Sequence, residues 1–281
     1  MEWIPYSVKE RIKISEMFTF FTYHYDYDYE FPGESHNFWE CVYVLDGSIC
    51  VSADERVYNL SKGEIIFHKP LELHKFRITH KDGATLLIFS FSVEGSLRKY
   101  FHDKVFALDK KQKTIITDMI DYAESHADET NTILMKYMSA MENVSLYSQN
   151  IALNICRLML SLAESSNIIP ASEAPDSVTF TNTVKFMTEN IYKNLPIDAF
   201  AKNANTSISG IKRIFNRFAG IGVHKYFLKL KLKKATEMLQ NGQGVTSVSE
   251  ALGFSSQGYF TKVFKRETGV LPSKVFNQNN S

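Results

Sequence analysis

Two hydrophobic periods divide this chain. From about Met17 to Val93, apolar residues come in short runs: Phe18 to Tyr23, Trp39 to Leu45, Ser48 to Ala53, Ile65 to His68 and Leu86 to Val93. Gly33, Gly47, Gly63, Gly83 and Gly95 punctuate them. Short strands separated by such turn signals predict an all-β barrel or sandwich rather than a parallel sheet. The tract Tyr23-His24-Tyr25-Asp26-Tyr27-Asp28-Tyr29 alternates tyrosine with polar residues, which predicts an extended segment with one tyrosine-covered face.

From Lys111 to Glu164 the period becomes helical. Ile115, Met119 and Tyr122, then Leu134, Tyr137, Met138 and Met141, then Ile151, Ile155, Leu158, Met159 and Leu162 recur at three-and-four spacing and predict three amphipathic helices. These helices pack on the β domain or join two subunits; periodicity does not choose. Ser165 to Val178 has neither period and is read as a linker. Beyond it, Val184, Met187 and Ile191 mark one helix, and Ile197 to Ala204 a short one. Asn205 to Ser207 then reads as a turn ending in an N-cap residue, and Ile208 to Phe218 as a second helix. In that helix Ile208, Ile211, Ile214, Phe215 and Phe218 share one face, while Lys212, Arg213, Asn216 and Arg217 take the other. The arrangement repeats. Thr246 to Leu252, a turn at Gly253 to Ser255, and Ser256 to Glu267 place Phe260, Val263 and Phe264 inward and Gln257, Thr261, Lys262, Lys265 and Arg266 outward. One long helix, Val223 to Leu239, with five lysines, joins the two copies.

Charge sharpens this picture. The net charge of +1 conceals a strong asymmetry: from Asp176 onward there are 15 Lys+Arg against 6 Asp+Glu (+9), leaving 17 against 25 (−8) for the rest. A basic last third favours a polyanion partner, because each phosphate neutralised by Lys or Arg releases condensed counterions. No run approaches the roughly 18 apolar residues of a membrane span, and Met1 to Glu10 lacks a signal-peptide core. A cytoplasmic protein with no membrane partner is therefore expected. Cys41, Cys50 and Cys156 make neither an even disulfide set nor a CxxC pair, so they are read as buried free thiols.

The C-terminal residues resemble the AraC/XylS family of transcription regulators. The stretch Ala251-Leu-Gly-Phe-Ser-Ser-Gln-Gly-Tyr-Phe-Thr-Lys-Val-Phe-Lys-Arg-Glu-Thr-Gly-Val-Leu-Pro272 is similar to its C-terminal signature almost throughout. Leu195 to Phe218 and Lys231-Leu-Lys-Lys-Ala235 resemble its first helix-turn-helix unit and connector. The resemblance implies base-reading roles for Ser209, Lys212 and Arg213 in the first unit and for Gln257, Thr261 and Lys262 in the second. Chemistry supports Arg213, whose fork matches guanine O6 and N7, and Gln257, which matches adenine N6 and N7. Lys225, Lys265 and Arg266, with Asn216, Arg217 and the helix N-termini at Ser207 and Ser256, suit phosphate. Two departures stand out: Lys231 where the family usually has Arg, and Gly258 where a polar residue is common.

The resemblance extends more loosely to a cupin-like barrel. His36, Glu40 and His74, with Gly47, Gly63 and Pro70, follow cupin spacing, although the first histidine of the metal-binding His-x-His pair is replaced by Glu34. On a strand His36 and Glu40 would share a face. That set suits Zn²⁺, Fe²⁺ or Mn²⁺, but the defective pair favours a hydrogen-bonding effector pocket, with no metal and no cofactor. No Ser/His/Asp arrangement, phosphate-cradling glycine loop or poised nucleophile points to catalysis.

The expected architecture is therefore multidomain α and β: a cupin-like, effector-binding β-barrel over 1–110, a helical dimerisation or connector region over 111–164, a linker over 165–178, and an all-α domain of two helix-turn-helix units over 179–281. The expected function is an effector-responsive activator that binds double-stranded promoter DNA, meets RNA polymerase and forms a homodimer through 111–164. The alternatives are a metal-dependent cupin enzyme with an accessory DNA-binding tail, or a regulator whose N-terminal domain binds a protein partner.

Overall fold

A computed structural model describes residues 3–126, 146–164 and 167–277. Two units emerge, one from 1–53 with 58–172 and the other from 173–281 with 54–57 grouped to it. Leu134, Tyr137, Met138 and Met141, expected on the middle helix of the connector, lie outside the described residues.

Among the described residues, the first unit has nine strands: β1 (Lys13–Tyr25), β2 (Trp39–Asp46), β3 (Ser48–Ala53), β4 (Arg56–Ser61), β5 (Glu64–His68), β6 (His74–Ile78), β7 (Ala84–Glu94), β8 (Val105–Ala107) and β9 (Asn167–Ile169). Six of them form one sheet in the order β1-β7-β2-β5-β8-β9, and three form another in the order β4-β3-β6. The expectation of a barrel is corrected here, because the strands make two open sheets rather than a closed ring. Side chains, not strand continuity, close the interior. Alternation along β2 explains how: Trp39, Cys41 and Tyr43 enter a core shared with α1 (Lys110–Ser125) and α2 (Tyr147–Glu164), while Val42 and Val44 enter a second core with Ile49, Val51, Phe76 and Ile78 of the smaller sheet. Glu40 has the parity of Val42 and Val44 and so belongs to the intersheet side.

Helix α1 begins with a reciprocal cap in which Asp109 accepts from the Gln112 backbone N–H and Gln112 accepts from that of Asp109. Its buried residues Ile115, Ile116 and Met119 and those of α2, Ile151, Ile155, Leu158 and Leu162, lie against the six-stranded sheet. The supposed linker is only partly irregular. Asn167–Ile169 pairs antiparallel with β8, and α3 already begins at Pro175. The tyrosine tract is extended only to Tyr25, after which Asp28 takes a left-handed turn at φ 65°. Tyr25 and Tyr29 pack on Phe76, although Tyr29, like Tyr23 and Tyr27, remains exposed.

The second unit is helical: α3 (Pro175–Glu189), α4 (Ile197–Asn203), α5 (Ile208–Ala219), α6 (Val223–Gln240), α7 (Val245–Ala251), α8 (Gln257–Thr268) and α9 (Pro272–Asn277). A cluster of Phe180, Phe215, Phe218 and Tyr226 ties α3, α5 and α6 together, and Phe200 of α4 meets Phe227 of α6. Ile208 departs from the expected inner face. It stands in the first turn of α5 and remains 41% exposed. Among the described residues, no helix is long and apolar enough to cross a membrane.

Candidate nucleic-acid interface and ligand cluster

The pairs α4–α5 and α7–α8 are built alike. In each turn one residue adopts the left-handed conformation, Asn205 at φ 48° and Gly253 at φ 71°. The residue that follows it returns a backbone N–H to the preceding helix, Thr206 to Ala201 O and Phe254 to Ser249 O, both at 3.0 Å. Each second helix then starts on a serine cap: Ser207 accepts from Gly210 N–H at 3.0 Å, and Ser256 from Tyr259 N–H at 3.1 Å. The second turn is one residue longer, which the sequence spacing alone already contains.

On both second helices the apolar face is buried and the polar face is open. Ile211, Ile214, Phe215 and Phe218 are buried in α5, as are Phe260, Val263 and Phe264 in α8. Ser207, Ser209, Lys212, Arg213, Asn216 and Arg217 of the first unit are exposed, as are Lys225 at the start of α6 and Ser256, Gln257, Lys262, Lys265 and Arg266 of the second. Thr261 is half-buried. Lys212, Arg213, Asn216 and Lys225 line one cleft of about 470 Å³ beside the start of α6.

Several of these side chains already have partners within the protein. Arg213 donates from Nη1 to Asp176 Oδ2 at 3.0 Å and from Nη2 to Oδ1 at 3.3 Å, and Arg217 Nη1 reaches the same Oδ2 at 3.1 Å. Gln257 Oε1 accepts from the Thr246 hydroxyl at 2.8 Å. Arg266 donates to Glu267. Sequence reading did not single out Asp176; its only signal was an acid at the start of a helix in a basic segment. Because Arg213 is 63% exposed, its pair with Asp176 is worth only about 0–1 kcal/mol. DNA would have to displace that carboxylate. Asp176→Asn is therefore expected to tighten binding to cognate and random duplex alike, by up to about fivefold, in an anisotropy titration. Weaker binding instead would make Asp176 a positioner of the arginine fork.

The first unit brings Glu34, His36, Glu40 and His74 together, with one donor atom of each within 4.8 Å of the others. Glu34 arrives through a backbone bridge to His74, the two residues exchanging N–H to O bonds of 3.0 Å. His36 lies in the loop before β2, so its approach to Glu40 comes from that loop and not from strand alternation. His74 Nε2 stands 3.3 Å from Glu40 Oε1 and 3.7 Å from Glu34 Oε1; His36 Nε2 stands 3.7 Å from Glu40 Oε2 and 3.8 Å from Glu34 Oε1. Burial opposes charge on both Glu40 and His74. The opposite charges nevertheless prevail, holding the Glu40 carboxyl well below its usual range and pushing His74 up to about 10. His68, at the end of β5, is buried and stacks on His74 at 4.3 Å while its Nδ1 meets Glu72 at 2.6 Å. His80 stays on the surface.

Two family descriptions match the chain, an AraC-like ligand binding domain over residues 18–173 and a helix-turn-helix domain over 200–278. The uncharacterized HTH-type transcriptional regulator YfiF of Bacillus subtilis is 24% identical over 247 residues, covering 84% of this chain and 76% of the relative. The Msm operon regulatory protein of Streptococcus mutans is 28% identical over 165 residues, covering 55% and 59%. Among solved structures, ToxT from Vibrio cholerae aligns over 95% of this chain and 96% of its own, at 12% identity and a TM-score of 0.38.

Proposed function

The chain belongs to the AraC family of transcription regulators, and from that premise we propose that it is an effector-responsive activator, acting in the cytoplasm on promoter DNA together with RNA polymerase. The observation that carries this reading is the repeated unit, α4–α5 and α7–α8, each ending in a serine-capped helix with a buried apolar face and an exposed cationic one. Helix α6 joins them. Its 18 residues span about 27 Å, which suits two recognition helices spaced near the roughly 34 Å turn of B-DNA. On this reading Ser209, Lys212, Arg213, Gln257, Thr261 and Lys262 read base edges, while Ser207, Asn216, Arg217, Lys225, Ser256, Lys265 and Arg266 hold phosphate.

The first unit, with His36, Glu40 and His74 in its effector site, biases the DNA-binding part. An effector does so only by binding one arrangement better than the other. A homodimer through 111–164 is supported by Leu146, Leu153 and Leu160, seven residues apart at and along α2 and all exposed. Catalysis has no part in this reading, which agrees with relatives that are regulators.

Paired substitutions test the division of labour. Arg213→Ala should cost about 1–3 kcal/mol on the cognate site and relax preference at one base pair, while Lys265→Ala should weaken all duplexes alike and lower the salt slope by about 1. Equal losses on cognate and random duplex for Arg213→Ala would remove that residue from base readout.

A further inference from the structure

We propose that Glu34, His36, Glu40 and His74 form a four-coordinate site for a divalent transition metal. The inference deepens the effector reading and rests on it only for a regulatory consequence; the site itself rests on geometry.

The orientation of the two imidazoles comes first. His36 Nδ1 lies 2.9 Å from the Phe38 carbonyl and His74 Nδ1 lies 3.2 Å from the Glu72 carbonyl. A carbonyl only accepts, so each ring carries its proton on Nδ1 and turns Nε2 into the cluster. Backbone carbonyls holding the far nitrogen are the usual orienters of metal-bound histidine. Both Nε2 atoms are buried, and neither makes a hydrogen bond; the His74 side chain is 3% exposed.

Spacing is the second observation. The nitrogen–oxygen separations run from 3.3 to 3.8 Å, His74 facing one Glu40 oxygen and His36 the other, and one donor atom from each of the four residues falls within 4.8 Å of the rest, so a bound ion would draw the set in slightly. Donors placed tetrahedrally at about 2.0–2.1 Å from a Zn²⁺-like ion stand about 3.3–3.4 Å apart. Metal binding displaces the second proton of the His74 ring, after which two neutral nitrogens and two carboxylate oxygens give a neutral complex with a dication, which suits a borderline ion. Glu34 is 46% exposed and leaves a route from solvent, while the ring of His68 backs His74 from within.

The test uses full-length protein stripped with a chelator and titrated with Co²⁺, then with Zn²⁺ in competition. The expected result is one Co²⁺ per chain with the intense visible bands of a tetrahedral site, displaced by Zn²⁺. His36→Ala and Glu34→Gln should each weaken binding by about 100-fold or more, since loss of even an outer-shell partner costs about 10–100-fold; His80→Ala should bind as the parent does. If His74→Ala fails to fold, Glu34→Gln carries the argument, because that side chain is half exposed. Absence of Co²⁺ binding, or binding unchanged in both His36→Ala and Glu34→Gln, overturns the site. Sequence-specific DNA binding measured on the same stripped protein separates this failure from that of the regulator reading: intact DNA recognition without metal removes only the metal.

Discussion

Lys231→Ala is expected to destabilise the second helix-turn-helix unit by about 2–4 kcal/mol, from losing hydrogen bonds to a charged donor and orphaning a buried carbonyl. Lys231 is 5% exposed in the middle of α6, yet among the described residues it forms no ion pair with an acid. Its ammonium instead donates to Leu252 O at 2.7 Å and to Asn194 Oδ1 at 2.9 Å, and Asn194 in turn donates to Gly253 O at 2.7 Å. Leu252 is the C-cap of α7. The last carbonyls of a helix have no partner within it and carry its negative pole, so a cation there satisfies both requirements. Burial pushes the Lys231 pKa down, and the amine still holds the turn while protonated. One side chain thus pins the turn of the second unit to the connector. Hydrogen exchange should show faster opening of Val245–Ala251 and Gln257–Thr268, with β2 and β7 unaffected. Lys231→Arg should restore most of the protection, since a guanidinium also offers several donors. Unchanged exchange in Lys231→Ala would mean that the aromatic packing of Phe254, Phe260 and Phe264 holds the unit without the pin.

That pin illustrates what a sequence conceals. The position of Lys231 on α6 was legible from periodicity, but its burial was not, because both acceptors come from residues far away in the chain. The helices themselves were legible because local spacing decides them: the buried sets of α5 and α8 follow the three-and-four rule. Ile208, the first residue of α5, is the exception and stays 41% exposed. Strands fared unevenly for the same physical reason. Ser48–Ala53 was read with its observed limits, whereas β9, three residues long, owes its extended form to the backbone of β8 rather than to any pattern of its own. In the ligand cluster, the residue types and approximate spacing were visible, and Glu34 was noticed only as a defect in a histidine pair. Its role became legible when the bridge to His74 placed its carboxylate beside two unpartnered nitrogens. Asp176 was overlooked altogether, since nothing local announces an acid that will face two arginines 37 and 41 residues on.

Arg213→Ala combined with Gln257→Ala should lower affinity for the cognate site by about 2–6 kcal/mol, roughly 30-fold to 10⁴-fold, if each side chain contributes about 1–3 kcal/mol of base discrimination. The size of the sum is less informative than its form. Arg213 lies on α5 with Asp176 as its partner, and Gln257 lies on α8 with Thr246, so the two residues share no hydrogen-bond partner. Losses at such independent positions add to within about 0.5 kcal/mol. Additive losses on the cognate site, with random-duplex affinity nearly constant, require that both second helices occupy the same DNA at once. The two side chains are exposed and leave the buried faces of α5 and α8 intact, so folding is not expected to confuse the comparison. A silent Gln257→Ala, with the whole loss carried by Arg213→Ala, would leave the first unit as the reader of bases and the second as a phosphate grip. Strong non-additivity would point to a complex in which one unit docks only after the other, and a footprint shortened by about one duplex turn in the double variant would identify which helix had let go.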